Sequence, residues 1–225
     1  MIIMLGSGQV AARDVLLLAG YSGSTLGNYG YLGTIMPISS PYLYKDGWLL
    51  RLWFAQANFT YLSVLGQDIR GKASEIEASV GYRTYLGDKN NRLSIYIGGV
   101  HRNARLSPDD PYSHMEERRN GARIQGDLFL RPTTNLDFSV MGSHTTHIGD
   151  KWLRIRPGYV FEERVIFGPE VVFIRGDAYN RRRVGIVLES VPLGRNAELT
   201  FSAGRERDRV QSTSGYATLS LVSWF

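Results

Sequence analysis

The chain has 225 residues, with 25 glycines, 13 Tyr, 9 Phe and 4 Trp, no cysteine, and 26 Lys+Arg against 21 Asp+Glu. The lack of cysteine excludes disulfide staples, thiol catalysis and sulfur-ligated zinc. A hydrophobic fraction of 43% against 21% charge excludes general disorder. The apolar run Val15 to Ala19 falls far short of the about 20 residues that a spanning helix needs.

Residues 1–12, MIIMLGSGQVAA, are apolar and end in Val10-Ala11-Ala12 before Arg13-Asp14, which fits the tail of a secretory signal peptide or a disordered start. The competing reading takes Gly6-Ser7-Gly8-Gln9-Val10-Ala11 as a dinucleotide fingerprint. That fingerprint requires an acidic residue about 20 positions on, and no acid occurs between Asp14 and Asp46.

From Arg13 onward the dominant period is two, the mark of half-buried strands. Twelve strands are predicted near 14–21, 29–36, 47–61, 73–86, 92–105, 122–131, 135–146, 151–161, 165–175, 180–191, 197–207 and 215–225. In the fourth, Ile76, Ala78, Val80 and Tyr82 share one face, and Glu75, Glu77 and Arg83 the other. Turn chemistry punctuates the runs at Gly87-Asp88, Pro132-Thr133, Gly149-Asp150, Gly176-Asp177 and Pro192 to Asn196. Most runs reach the about 9–11 residues that cross a bilayer at a tilt.

Alternation alone fits a soluble sandwich as well as a membrane barrel. The polar face carries opposite charges at mid-strand: Arg51, Glu75, Glu77, Arg102, Arg123, Asp127, Arg154, Arg156, Glu170, Arg183 and Glu189. A closed polar lumen must pair such charges, so these residues are expected to form a lumen lattice. Aromatics gather near strand ends (Tyr21, Tyr29, Tyr31, Trp48, Tyr61, Trp152, Tyr159, Tyr179, Trp224), where a bilayer interface would hold them. The expectation is all-β: a transmembrane antiparallel up-and-down β-barrel of about 12 strands over residues 13–225, in a bacterial outer membrane. The last strand ends in Phe225, with Leu221, Leu219 and Ala217 on its face. An aromatic in that position is the expected assembly signal for the barrel assembly machinery.

Three segments carry a family resemblance: Asp46-Gly47-Trp48-Leu49-Leu50-Arg51-Leu52, Tyr96 through Asn103 into Leu106-Ser107-Pro108-Asp109-Asp110-Pro111, and Gly121 through Pro132. Together they resemble the BcsS-type cellulose biosynthesis protein family of Gram-negative outer-membrane barrels. The stretch after Pro111, Tyr-Ser-His-Met-Glu-Glu-Arg-Arg, is more charged than that family's pattern. The resemblance implies a pathway, cellulose production or export, and partners among cellulose-synthesis proteins or cellulose itself.

Ser107, Pro108, Asp109, Asp110, Pro111 and Tyr112 predict a rigid turn that could dock a polysaccharide or partner, with Asp109 bonding backbone N–H groups in an Asx-turn. Asn180-Arg181-Arg182-Arg183 lies at an extracellular rim, with Arg182 facing outward toward lipopolysaccharide phosphate; nucleic acid is not expected. Ser143-His144-Thr145-Thr146-His147 is the one His-rich stretch and supports the rival reading, an outer-membrane lipid or glycan hydrolase. A polar loop edge is the favoured account of it. The main reading is a non-enzymatic accessory barrel, either a scaffold or a narrow polar channel, with no metal and no cofactor.

Overall fold

The computed structural model describes residues 15–40, 42–87, 90–110, 112, 118–161, 164–176, 179–208 and 213–225. The leader expected at 1–12 and Pro111 lie outside the described residues.

Twelve strands follow one another: β1 Leu16–Ser24, β2 Gly27–Pro37, β3 Gly47–Leu62, β4 Asp68–Tyr85, β5 Arg92–Ser107, β6 Arg118–Thr133, β7 Leu136–Thr145, β8 Lys151–Phe161, β9 Val165–Arg175, β10 Asn180–Pro192, β11 Ala197–Asp208 and β12 Thr213–Trp224. Each pairs antiparallel with its sequence neighbours, and β1 closes on β12. The sheet has no edge, so no row of backbone donors is left open to lipid. Beyond the strands, Val15 and Phe225 exchange backbone hydrogen bonds of 3.0 and 3.1 Å across the seam.

The expected strands are all present, and the main differences are at their ends. β4 starts at Asp68 and β6 at Arg118, earlier than the apolar alternation alone indicated. The cause is ladder pairing with β3 and β5, which carries these strands past the apolar band, so their outward positions turn polar there (Arg70, Lys72, Arg118).

Register sorts the side chains. Leu32, Leu52, Phe54, Ile76, Ile97, Ile124, Ile186, Phe201 and Leu219 stand exposed on the outer face. An apolar surface this continuous belongs in hydrocarbon rather than water. Among the described strand residues, Asp68 is the one carboxylate whose strand position faces outward. Pro157 and Pro169 meet on β8 and β9, where the ladder skips from Ile155 to Tyr159 because neither proline has an N–H to donate.

Inside, the rim that holds Leu16 and Trp224 carries an apolar cluster of Ile35, Leu49 and Tyr96, with Leu16 and Leu18 packed against it. Leu43, from the loop between β2 and β3, joins that cluster. Its carbonyl accepts hydrogen bonds from Arg83 Nη1 (3.0 Å) and Tyr85 Oη (3.1 Å). The loop is thereby folded into the barrel mouth.

Candidate functional site

The lumen holds most of the chain's buried charge. Arg51, Glu77, Asp127, Arg156 and Glu170 are buried, each on the inward parity of its strand. Arg123 on β6 reaches Glu75 and Glu77 on β4, both at 2.7 Å, and its Nε donates to Thr145 at 2.7 Å. Arg51 pairs with Glu77 at 3.4 Å and donates to Gln125, whose amide donates to Asp127 at 2.9 Å. On the other side Arg156 links Glu170 on β9 to Glu189 on β10, the latter at 2.8 Å, and Tyr216 on β12 donates to Glu170 at 3.0 Å. Cross-strand pairing of this kind satisfies most buried charges without water.

Nearer the other rim, Arg183 pairs with Glu206 and donates to Ser22 (2.8 Å), while Arg181 holds Asp208 at 3.2 Å. Arg102 pairs with Asp150 at 2.7 Å, and Tyr179 donates to Asp150 at 2.8 Å. Burial pushes the Asp150 carboxyl above its ordinary range, with Arg102 pulling it back. The Tyr179 phenol is raised by burial and then by the Asp150 charge.

Three sequence expectations need correction. Arg154 is inward, but it forms no ion pair with a described residue: its Nη2 contacts Met141 Sδ and its buried Nε lacks a hydrogen-bond partner. Nearby Glu170 and Glu189 are both engaged by Arg156. The Asx-turn belongs to Asp110, not Asp109. Asp110 Oδ1 accepts the Tyr112 N–H (3.2 Å) and Oδ2 accepts the Tyr61 hydroxyl (2.9 Å), so Asp110 is buried while Asp109, Ser107, Pro108 and Tyr112 stay exposed. Of the interface aromatics, Tyr29, Tyr31, Tyr61, Trp152 and Trp224 occupy inward positions, because parity sets the face and closeness to a strand end sets only the height. Tyr31 stacks on Trp53 at 4.5 Å, and the Arg51 guanidinium lies over the same indole at 4.6 Å. Gly20 makes room for the stack; a Cβ there would stand 2.5 Å from Tyr31 Cε1.

The sequence reading also missed Gln125, Glu206, Asp208 and Asp150 as lumen partners. Parity along β6 and β11 would have found the first three; Asp150 lies in a turn, where parity says nothing. Arg182 faces outward over Phe173, 5.5 Å from its ring. His144 is on the outer face of β7, and His147, in a turn with φ 60°, has Nδ1 3.3 Å from Thr146 Oγ1. Thr145 points inward to Arg123, and Asp150 is held by Arg102 and Tyr179. The stretch therefore brings no hydroxyl, imidazole and carboxylate into one chain among the described residues. Phe225 is exposed on the outer face. No cluster of three or more His, Asp or Glu side chains suited to a metal occurs among the described residues.

A closed antiparallel barrel with an apolar exterior and an ion-paired interior is an outer-membrane β-barrel. The chain matches the family Cellulose biosynthesis protein BcsS over residues 6–225 and belongs to it. No curated protein matches the sequence. Among solved structures it resembles the COG4313 outer membrane channel from Pseudomonas putida F1, with a TM-score of 0.63 and 13% identity over 99% of this chain and 100% of that one. It also resembles the beta domain of the Bordetella autotransporter Brka, with a TM-score of 0.53 and 12% identity over 95% of this chain and 100% of that one. The KdgM porin in complex with disordered oligogalacturonate gives 0.51 and 12% over 93% and 99%. These likenesses show the outer-membrane barrel fold.

Proposed function

We propose that this barrel serves cellulose production as a non-enzymatic accessory, a scaffold with a narrow polar lumen, and is not the main path for the glucan. The observation that carries this reading is the filled mouth: Leu43 packs on Ile35, Leu49 and Tyr96 below the Arg51–Glu77–Arg123 network. A translocating glucan needs free aromatic faces, yet Trp53 is occupied by Tyr31 and Arg51. Family membership supports the pathway and an association with cellulose-synthesis proteins. The exposed Asp109 and Tyr112 offer a carboxylate and a ring for sugar hydroxyls or a partner at the loop rim.

The test combines planar-bilayer current with cellulose output from cells lacking the gene. The wild-type barrel should pass small currents, and its loss should lower cellulose output. Replacing Leu43 by Gly should raise conductance several-fold. A large steady current from the wild type, comparable to a wide porin, would refute the filled mouth. Unchanged cellulose output without the gene would remove the accessory role. Asp109→Ala with Tyr112→Ala should lower output at constant barrel level if the turn docks a partner; a fall only in proportion to lost barrel makes the turn structural.

A further inference from the structure

The outer face of β10, β11, β12 and β1 differs from the rest of the apolar band. Gly23, Ala217 and Ala203 lie side by side on adjacent strands, and Ile186 follows in the same row. Larger side chains flank this row: Tyr21, Leu219, Phe201, Leu188 and Phe167. Together they enclose a groove of about 470 Å³ on the membrane-facing side.

The groove leads into positive charge. Two residues beyond Ala203 on the same face stands Arg205, paired in register with Val184 and Gly215. Two further on, Arg207 sits directly opposite Arg182. Arg182, Arg205 and Arg207 have no ion pair with a described carboxylate, and no Asp or Glu faces outward on β8 to β12 among the described residues. Three cations on neighbouring strands repel one another unless an anion bridges them. The flat guanidinium suits a phosphate, which it can hold through two parallel N–H donors.

From this arrangement we propose a lipid site: one acyl chain lies in the Gly23–Ala217–Ala203 groove, and a phosphate of the same molecule bridges Arg205, Arg207 and Arg182. The arginines stand at the rim opposite Leu16 and Trp224, which carries the loop around Asp110 and so, by the usual disposition of barrel loops, faces outward from the cell. The occupant is therefore a phosphorylated glycolipid of the outer leaflet. The floor of small residues sets the depth for a hydrocarbon chain, and the arginines set the height of the head group. This assignment is independent of the accessory role argued above.

The probe is diphosphorylated lipid A mixed with the detergent-folded barrel, with retention followed by native mass spectrometry after delipidation. The wild type should retain the lipid, and lipid A stripped of its phosphates should be lost at least ten-fold more readily. Arg182→Gln with Arg205→Gln and Arg207→Gln should cut retention about ten-fold. Ala203→Phe with Ala217→Phe, which fills the groove and spares the arginines, should cut it comparably. Folding of each variant is checked by heat-dependent gel mobility; should a variant fail to fold, the wild-type comparison of phosphorylated with dephosphorylated lipid decides. Equal retention of the two lipids, or unchanged retention in either folded variant, overturns the site. Phosphatidylglycerol held as firmly as lipid A overturns the glycolipid assignment. Inorganic pyrophosphate bound equally by the groove-filled variant and the wild type would reduce the site to a plain phosphate patch and overturn the role of the groove.

Discussion

Two inward arginines show how little a residue's place in an alternating strand says about its energetics. Arg123 has carboxylates at 2.7 Å on two sides and a threonine hydroxyl on its Nε. Arg154 has a thioether and an unpartnered Nε. Replacing Arg123 by Met leaves buried Glu77 with Arg51 as its one cation, beside the Ser79 hydroxyl, and Glu75 without its partner, and should destabilise the folded barrel by about 3–5 kcal/mol. Replacing Arg154 by Met removes a half-buried cation that pairs with no described carboxylate, and should leave stability within about 1 kcal/mol or raise it. Thermal unfolding of the two variants in one detergent checks the contrast, and equal losses would show that the lumen is wet enough to erase it. The same lesson holds at Asp110. Asp110→Ala removes the Tyr61 link and the turn bond to Tyr112, and should cost about 1–3 kcal/mol. Asp109→Ala, at an exposed site, should cost almost nothing.

At the scale of elements, the strands were legible because the chain repeats its period of two twelve times and breaks it with Gly, Asp and Pro. The strand ends were less so. β4 and β6 extend through polar residues whose only local signal is ordinary alternation, and pairing with longer neighbours decides where they begin. The loop between β2 and β3 was not legible as a plug at all. Leu43 in a Tyr-, Pro- and Ser-rich stretch has no periodic context, and its burial comes from Ile35, Leu49 and Tyr96 on three different strands. This placement makes the loop the element to perturb. Leu43→Asp should open the mouth more than Leu43→Gly, since a carboxylate in an apolar cluster is expelled toward water. Single-channel recordings read the difference; equal currents would mean that the loop does not control passage.

For the whole molecule, closure is the governing fact. A β1–β12 seam with every strand paired should give far-UV dichroism of β type in detergent and different gel mobility with and without boiling. A soluble monomer without detergent would contradict the apolar exterior. The division of charge is equally global. Strand carboxylates go inside, with Asp68 the exception among described residues, whereas outward arginines and lysines collect at the loop rim (Arg70, Lys72, Arg105, Arg118, Lys151, Arg175, Arg182, Arg205 and Arg207). Cations at that height can meet lipid phosphates, and a carboxylate there would be repelled by them.

By itself the sequence determined the fold class, the number of strands, the face of most side chains within a strand away from the bulges at Leu188–Val191 and Leu130–Thr133, and the family, because all four are encoded in short-range pattern or local motif. Parity alone would have put Tyr31, Trp152 and Glu206 inside. Only the tertiary structure decided which charges meet, that Arg154 is left over, that Asp110 and not Asp109 is tied to Tyr61, and that Gly23, Ala217, Ala203 and Ile186 line up beneath Arg205. Those facts depend on the register between strands far apart in the chain. Register is fixed only when the whole ring closes, since sliding one strand by two residues preserves every face and changes every partner.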